Sequence, residues 1–133
     1  MLKEIRIPKA VLELVRRELI AHAPLEACGV LIGSEKDGII TVESASPIEN
    51  IKRSRSSFEL DPSRFYELWT EAEKRGKDIV CVYHTHPLTP AMPSQSDREC
   101  MQNNPYAWLI AGAGGIRCFI WDNGIRQVDV RES

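Results

Sequence analysis

From Leu2 to Ile7 apolar and polar residues alternate, which predicts a first strand. Pro8 then suits a helix N-terminus, and Val11, Leu12, Leu14, Val15, Leu19 and Ile20 recur at helical spacing. Pro24 ends that helix, because the residue before a proline avoids helical geometry. Cys28 to Gly33 is short and apolar and is bounded by glycine, as a buried strand is. The Lys36-Asp37-Gly38 turn leads to a strand from Ile39, so the two form a hairpin. Asn50 to Ser57 is polar and basic and reads as a surface loop, and Phe58 to Leu60 reads as a short strand.

Asp61-Pro62 supplies the N-cap and first turn of a second helix running to about Arg75, with Gly76 ending it. Its expected inner face is Phe65, Leu68, Trp69 and Ala72. Ile79 to His84 is the next strand. Ser96 and Glu99 have capping-box spacing, so a short helix is expected near Ser96. Tyr106 to Ala111, Ile116 to Trp121 and Ile125 to Val130 predict three closing strands. The fold class is therefore α/β of the α+β type, with a mixed, largely antiparallel sheet flanked by helices and no doubly wound order. A single domain over residues 1–133 is the expectation, since no repeat, low-complexity tract or long linker divides the chain.

Composition changes this picture little. The hydrophobic share of 43% and charged share of 27% are ordinary for a globular domain, and the net charge of −2 does not point to nucleic acid or an anionic membrane. No apolar run reaches membrane-spanning length, and the N-terminus MLKEIRIPKA lacks a secretion h-region, so a cytoplasmic location is expected. The cysteines Cys28, Cys81, Cys100 and Cys118 form no C-x-x-C, and that compartment favours free thiols.

The chemistry concentrates in VYHTHPLTPAMPSQSD, Val82 to Asp97. Residues two apart on a strand share a face, so His84 and His86 can grip a metal together, while Thr85 points away and Cys81 has the wrong parity to join. The prolines at 87, 90 and 93 stiffen the loop that can return Asp97 to the histidines. Two His and one carboxylate on zinc would leave a fourth position open, as catalytic sites do. Such a site still needs a base. Each piece has a bland alternative: two core or surface histidines, a helix-start signal from Ser94 to Asp97, and a loop carboxylate at Glu26. Residue types and spacing alone lead as far as a metal site.

H-T-H-P, six residues, then S-Q-S-D resembles the JAMM (MPN+) signature H-x-H-P-x6-S-x2-D. Upstream, Glu26-Ala27-Cys28-Gly29 looks like that family's E-x-C-G segment, and Phe58 to Pro62 resembles the F-x-x-D-P of its compact prokaryotic members. The resemblance runs from about residue 3 to about residue 128. It implies an MPN fold with cytidine deaminase-like architecture and a zinc metallopeptidase. By the same resemblance, His84, His86 and Asp97 bind one zinc, Glu26 is general base and then acid, and Ser94 donates to the catalytic water or the developing oxyanion. Thr85 replaces the commoner serine between the ligands, with no expected loss of metal. The resemblance implies hydrolysis after the C-terminal glycine of a ubiquitin-like or sulfur-carrier protein, at a peptide or lysine isopeptide bond. Such tails are extended and can add as a strand to a sheet edge. The basic loop at Lys52, Arg53 and Arg55 could touch such a partner.

Three other functions compete with this one. A non-catalytic scaffold or binding module of the same fold normally lacks the ligands, all of which are present here. A zinc deaminase needs H-x-E and a later P-C-x-x-C, which the chain does not have. The DNA-repair-associated branch usually carries an extra DNA-binding segment, for which this chain has no room.

Overall fold

The computed structural model describes all 133 residues. The elements run β1 (Glu4–Ile7), α1 (Lys9–His22), β2 (Cys28–Lys36), β3 (Ile39–Ile48), α2 (Pro62–Lys74), β4 (Asp78–Pro90), α3 (Gln95–Met101), β5 (Ala107–Ala113), β6 (Gly115–Trp121) and β7 (Ile125–Glu132). The strands close into a barrel in the order β1-β3-β2-β4-β5-β6-β7. Pairs β2–β3, β2–β4, β5–β6 and β6–β7 are antiparallel, and β1–β3, β1–β7 and β4–β5 are parallel. The mixed, largely antiparallel sheet expected from the pattern is present. Barrel closure is the addition, and it comes from β1, which bridges β3 and β7. No helix is long and apolar enough to cross a membrane.

The β2–β3 hairpin turns through Asp37 and Gly38, both at positive φ (54° and 80°), the geometry that lets a two-residue turn match the twist of its strands. Alternation along the strands sorts side chains to two faces. Leu31, Tyr83 and Leu109 join a 17-residue cluster with Val11, Leu12 and Val15 of α1. Their neighbours Val30 and Ile32 face the other way and meet Leu68 and Ala72 of α2. Trp108 and Ile110 likewise meet Met101 of α3.

Several boundaries differ from expectation, each for a local reason. Ser94, not Ser96, caps α3: Ser94 Oγ accepts from Asp97 N (3.1 Å), and the Asp97 carboxylate accepts from Ser94 N (2.9 Å). Ser94/Asp97 has the same three-residue spacing as Ser96/Glu99, and the structure completes the box with aspartate in the place usual for Glu or Gln. Trp69 is 38% exposed and lies off the inner face of α2, which Leu68 and Ala72 supply with partly buried Phe65. Ile20 also faces outward, at 77% exposure. Phe58 to Leu60 forms no strand beyond one bridge, Asn50 to Leu60. β4 runs past His84 and through the prolines to Pro90, which pairs with Ala113. The histidines therefore sit within a long strand rather than at its end.

Candidate metal centre and active site

β4 lies between β2 and β5, with His84 opposite Cys28 on one side and Ile110 on the other. This double pairing fixes its backbone, and the shared face brings the Nε2 atoms of His84 and His86 to 3.0 Å. His86 Nδ1 lies 3.1 Å from the Pro90 carbonyl oxygen. A carbonyl only accepts, so that contact places the proton on Nδ1 and leaves the Nε2 lone pair facing inward. Aromatic contacts hold the ring of His84. Phe58 stacks on it with centroids 4.4 Å apart, and Trp108 meets it edge-on at 5.6 Å. His84 Nδ1 and Trp108 Nε1 are both buried without a hydrogen-bond partner.

Asp97 enters from the first turn of α3, where the capping box orients its carboxylate. Its Oδ2 lies 3.1 Å from each histidine Nε2. Glu26 arrives from the segment between α1 and β2 and is 4% exposed. Ligand atoms of Glu26, His84 and His86 lie within 4.8 Å of one another, close enough to share an ion. Glu26 Oε1 has no hydrogen-bond partner.

The electrostatics follow from burial and proximity. Burial raises the Glu26 carboxyl to about 7, against His86, which lowers it, and with Asp97, which raises it further. Burial lowers the His84 pKa, and the hydrogen bond to Asp97 only partly offsets it. For His86 burial is again the largest influence, but Asp97, the Pro90 carbonyl and Glu26 together carry the pKa upward. Burial also opposes ionisation of Asp97, yet hydrogen bonds to both histidines hold its carboxyl well below the usual range. One carboxylate thus stays charged between two imidazoles while another sits near neutrality.

The donor set fits a transition metal. Nε2, Nε2 and Oδ2 are spaced 3.0–3.1 Å apart. Zinc bonds of 2.0–2.1 Å in a tetrahedron put neighbouring ligands about 3.3 Å apart. Imidazole and carboxylate are also ligand types zinc takes.

Glu26, His84, His86 and Asp97 all meet in this region. Ser94 is a partial case: its Oγ accepts from Asp97 N and lies 3.2 Å from Ser96 Oγ, so it serves first as a helix cap. Sequence reasoning missed Phe58 and Trp108 as the walls around His84. An aromatic residue in a loop and another in an apolar strand carry no local signal of a shared neighbour. Beside Glu26 opens a cleft of about 380 Å³ whose lining includes Glu18, His22, Cys28, Glu49 and Arg53. Of the three basic loop residues, Arg53 borders this cleft and pairs with Glu49 at 3.0 Å.

Comparison with known proteins identifies the family. Residues 8–122 match the family model described as prokaryotic homologs of the JAB domain. A Thermus thermophilus protein named "Probable TtuB-protein conjugate cleaving protease" is 31% identical over 120 residues, covering 89% of this chain and 76% of that one. A desampylase of Haloferax volcanii is 34% identical over 107 residues, covering 80% and 76%. The solution structure of a Desulfitobacterium hafniense protein superposes with a TM-score of 0.87 at 25% identity, covering 97% of this chain and 92% of that one. With the matched segment spanning Glu26, both histidines and Asp97, the chain belongs to the prokaryotic JAB-domain family.

Proposed function

We propose that this protein is a zinc-dependent peptidase or isopeptidase that releases a ubiquitin-like or sulfur-carrier protein by cutting after its C-terminal glycine. The observation carrying this reading is the meeting of two histidine Nε2 atoms and one carboxylate oxygen at 3.0–3.1 Å, with Glu26, whose Oε1 has no hydrogen-bond partner, beside them. A relative named for cleaving protein conjugates supports the substrate class.

In this reading His84, His86 and Asp97 hold the metal, and the 3.1 Å approach of Asp97 Oδ2 to both Nε2 atoms supports it as third ligand. A bound zinc would supply a Lewis acid and make water in the site far more acidic than bulk water. Glu26 takes the proton of the attacking water and returns it to the leaving amine, a role open to a buried carboxylate beside the histidine pair. The cap uses Ser94 Oγ as an acceptor, so its O–H can turn toward the carbonyl oxygen as charge develops there. Arg53, on the cleft beside Glu26, is the loop residue placed to meet a partner's tail.

The test is a cleavage assay with the sulfur-carrier and ubiquitin-like proteins of the same genome, each extended by a peptide or joined through a lysine. Metal-dependent release after the terminal glycine is expected. No cleavage of any of them by the zinc-loaded protein would sink the proposal.

A further inference from the structure

Glu26 has a positioning problem that its own side chain does not solve. Glu26 Oε1 has no hydrogen-bond partner, so no bond to that oxygen fixes the side chain. Its location then depends on the main chain, although residue 26 lies outside both α1 and β2.

All four polar main-chain groups of the Glu26–Ala27 pair have partners. Glu26 N donates to Ser54 O at 2.8 Å. Glu26 O accepts from Asn50 Nδ2 at 3.0 Å. Ala27 O accepts from Thr85 N at 2.9 Å. Ala27 N donates to the Thr85 side-chain oxygen Oγ1 at 2.8 Å.

The last two bonds are unusual together. The β2–β4 ladder reaches Cys28 opposite His84, so Ala27 and Thr85 would be the next pair. A hydrogen-bonded antiparallel pair exchanges two main-chain bonds. Here Thr85 makes one of them and substitutes its hydroxyl for the other acceptor. That substitution lets the chain leave the ladder at Ala27 while its amide stays paired, and Glu26 follows toward the histidines. Asn50 secures the other side. Besides Glu26 O, its Nδ2 reaches Ser57 O, and its Oδ1 accepts from Lys52 N and Glu59 N, so it also shapes the loop that presents Ser54 O.

We propose that Thr85 and Asn50 are positioning residues that hold the Glu26 carboxylate against the His84–His86 pair, Thr85 by replacing the terminal ladder carbonyl with its hydroxyl. Thr85 lies between the two histidines in sequence, so one strand segment sets both histidines and the base. The claim about reaction rate rests on the function proposed above. The claim about the clamp does not.

The experiment compares wild type with Thr85→Val, Thr85→Ala and Thr85→Ser. Amide hydrogen exchange at Ala27 is read by NMR on the metal-free protein. Zinc content and steady-state kinetics are read on the loaded protein. Valine and alanine should expose the Ala27 amide to exchange and lower kcat by up to about 100-fold, the scale of loss for a misplaced catalytic group. KM and zinc content should stay near wild type. Serine, which keeps the hydroxyl, should recover both protection and kcat. If valine and alanine leave Ala27 exchange or kcat as in wild type, the proposal is overturned. If serine behaves like alanine, the hydroxyl is not the cause and the proposal is equally lost. Should wild type cleave no conjugate, the proposed function fails, and the exchange comparison alone decides the clamp.

Discussion

His84 Nε2 and Asp97 Oδ2 lie 3.1 Å apart although the two residues are thirteen positions apart in the chain. The strand fixes one partner and the first turn of a helix fixes the other. Both side chains are almost wholly shielded from water, at 0% and 3% exposure. Two buried polar groups in such contact, joined by a second imidazole, are costly to keep unless something uses them.

The first expectation concerns metal content. His84→Ala and Asp97→Asn should each cut zinc stoichiometry from about one per chain to near zero, as three protein ligands at an open site imply. Elemental analysis after dialysis against a weak chelator measures this. Zinc retained at wild-type level in both variants would remove them from the ligand set.

Glu26→Gln separates the base from the ligands. The amide keeps the shape of the side chain but cannot take a proton, so turnover should fall by roughly 10²–10⁴. Zinc content should not change. A variant that cuts as fast as wild type would show that Glu26 is not the base.

The same residue sets a pH dependence in the metal-free protein. Its carboxyl is pushed from 4.5 to about 7 by burial, so between those values the folded state binds more protons than the unfolded. Stability should therefore fall as pH rises through that window, and the full penalty is present above pH 7, on the order of 3 kcal/mol. Urea denaturation of wild type and Glu26→Gln at pH 5 and pH 8 isolates this contribution. Wild type should lose more stability than the variant on going to pH 8, and equal losses would contradict the assignment.

Thiol chemistry gives an independent check on the fold. Cys28, Cys81 and Cys118 are buried and Cys100 is exposed. Burial pushes the Cys28 thiol up to about 12, which leaves very little thiolate at neutral pH. Iodoacetamide should label Cys100 alone in the native protein and all four residues in urea, as mass spectrometry of the peptides will show.

Gly29 tests the close packing beside the site. A Cβ there would lie 2.4 Å from Tyr83 Cε2 and 2.6 Å from the Ser46 carbonyl oxygen, and the carbonyl belongs to the paired strand. Gly29→Ala should cost about 1–3 kcal/mol, the range for overpacking. Thermal unfolding measures it, and an unchanged Tm would mean that Tyr83 does not lie across Gly29.

What was legible in the chain depends on the range of the interaction. β5 was legible as a short apolar run, which its burial on both faces explains, and β7 as an alternation of apolar and polar residues on a strand that buries one side. His84, His86, Ser94 and Asp97 were legible because their contacts close within thirteen residues. Glu26 was legible as a carboxylate before a buried strand, and the resemblance gave it a role. Trp69 misled because one helical position at the edge of the apolar stripe can face either way, and here Leu68, Ala72 and Phe65 fill the packed face.

By itself, then, the sequence determined most of the elements, the hairpin turn and the residue types of the site, all of which rest on local sterics, periodicity and short loops. Tertiary structure alone decided how those residues work together. Barrel closure through β1 joins distant strands. Phe58 and Trp108 come together on His84. The Thr85 hydroxyl replaces a ladder carbonyl 58 residues from Ala27, and so sets where Glu26 points. Such contacts depend on register and packing between segments far apart in the chain, which no local pattern of residues encodes.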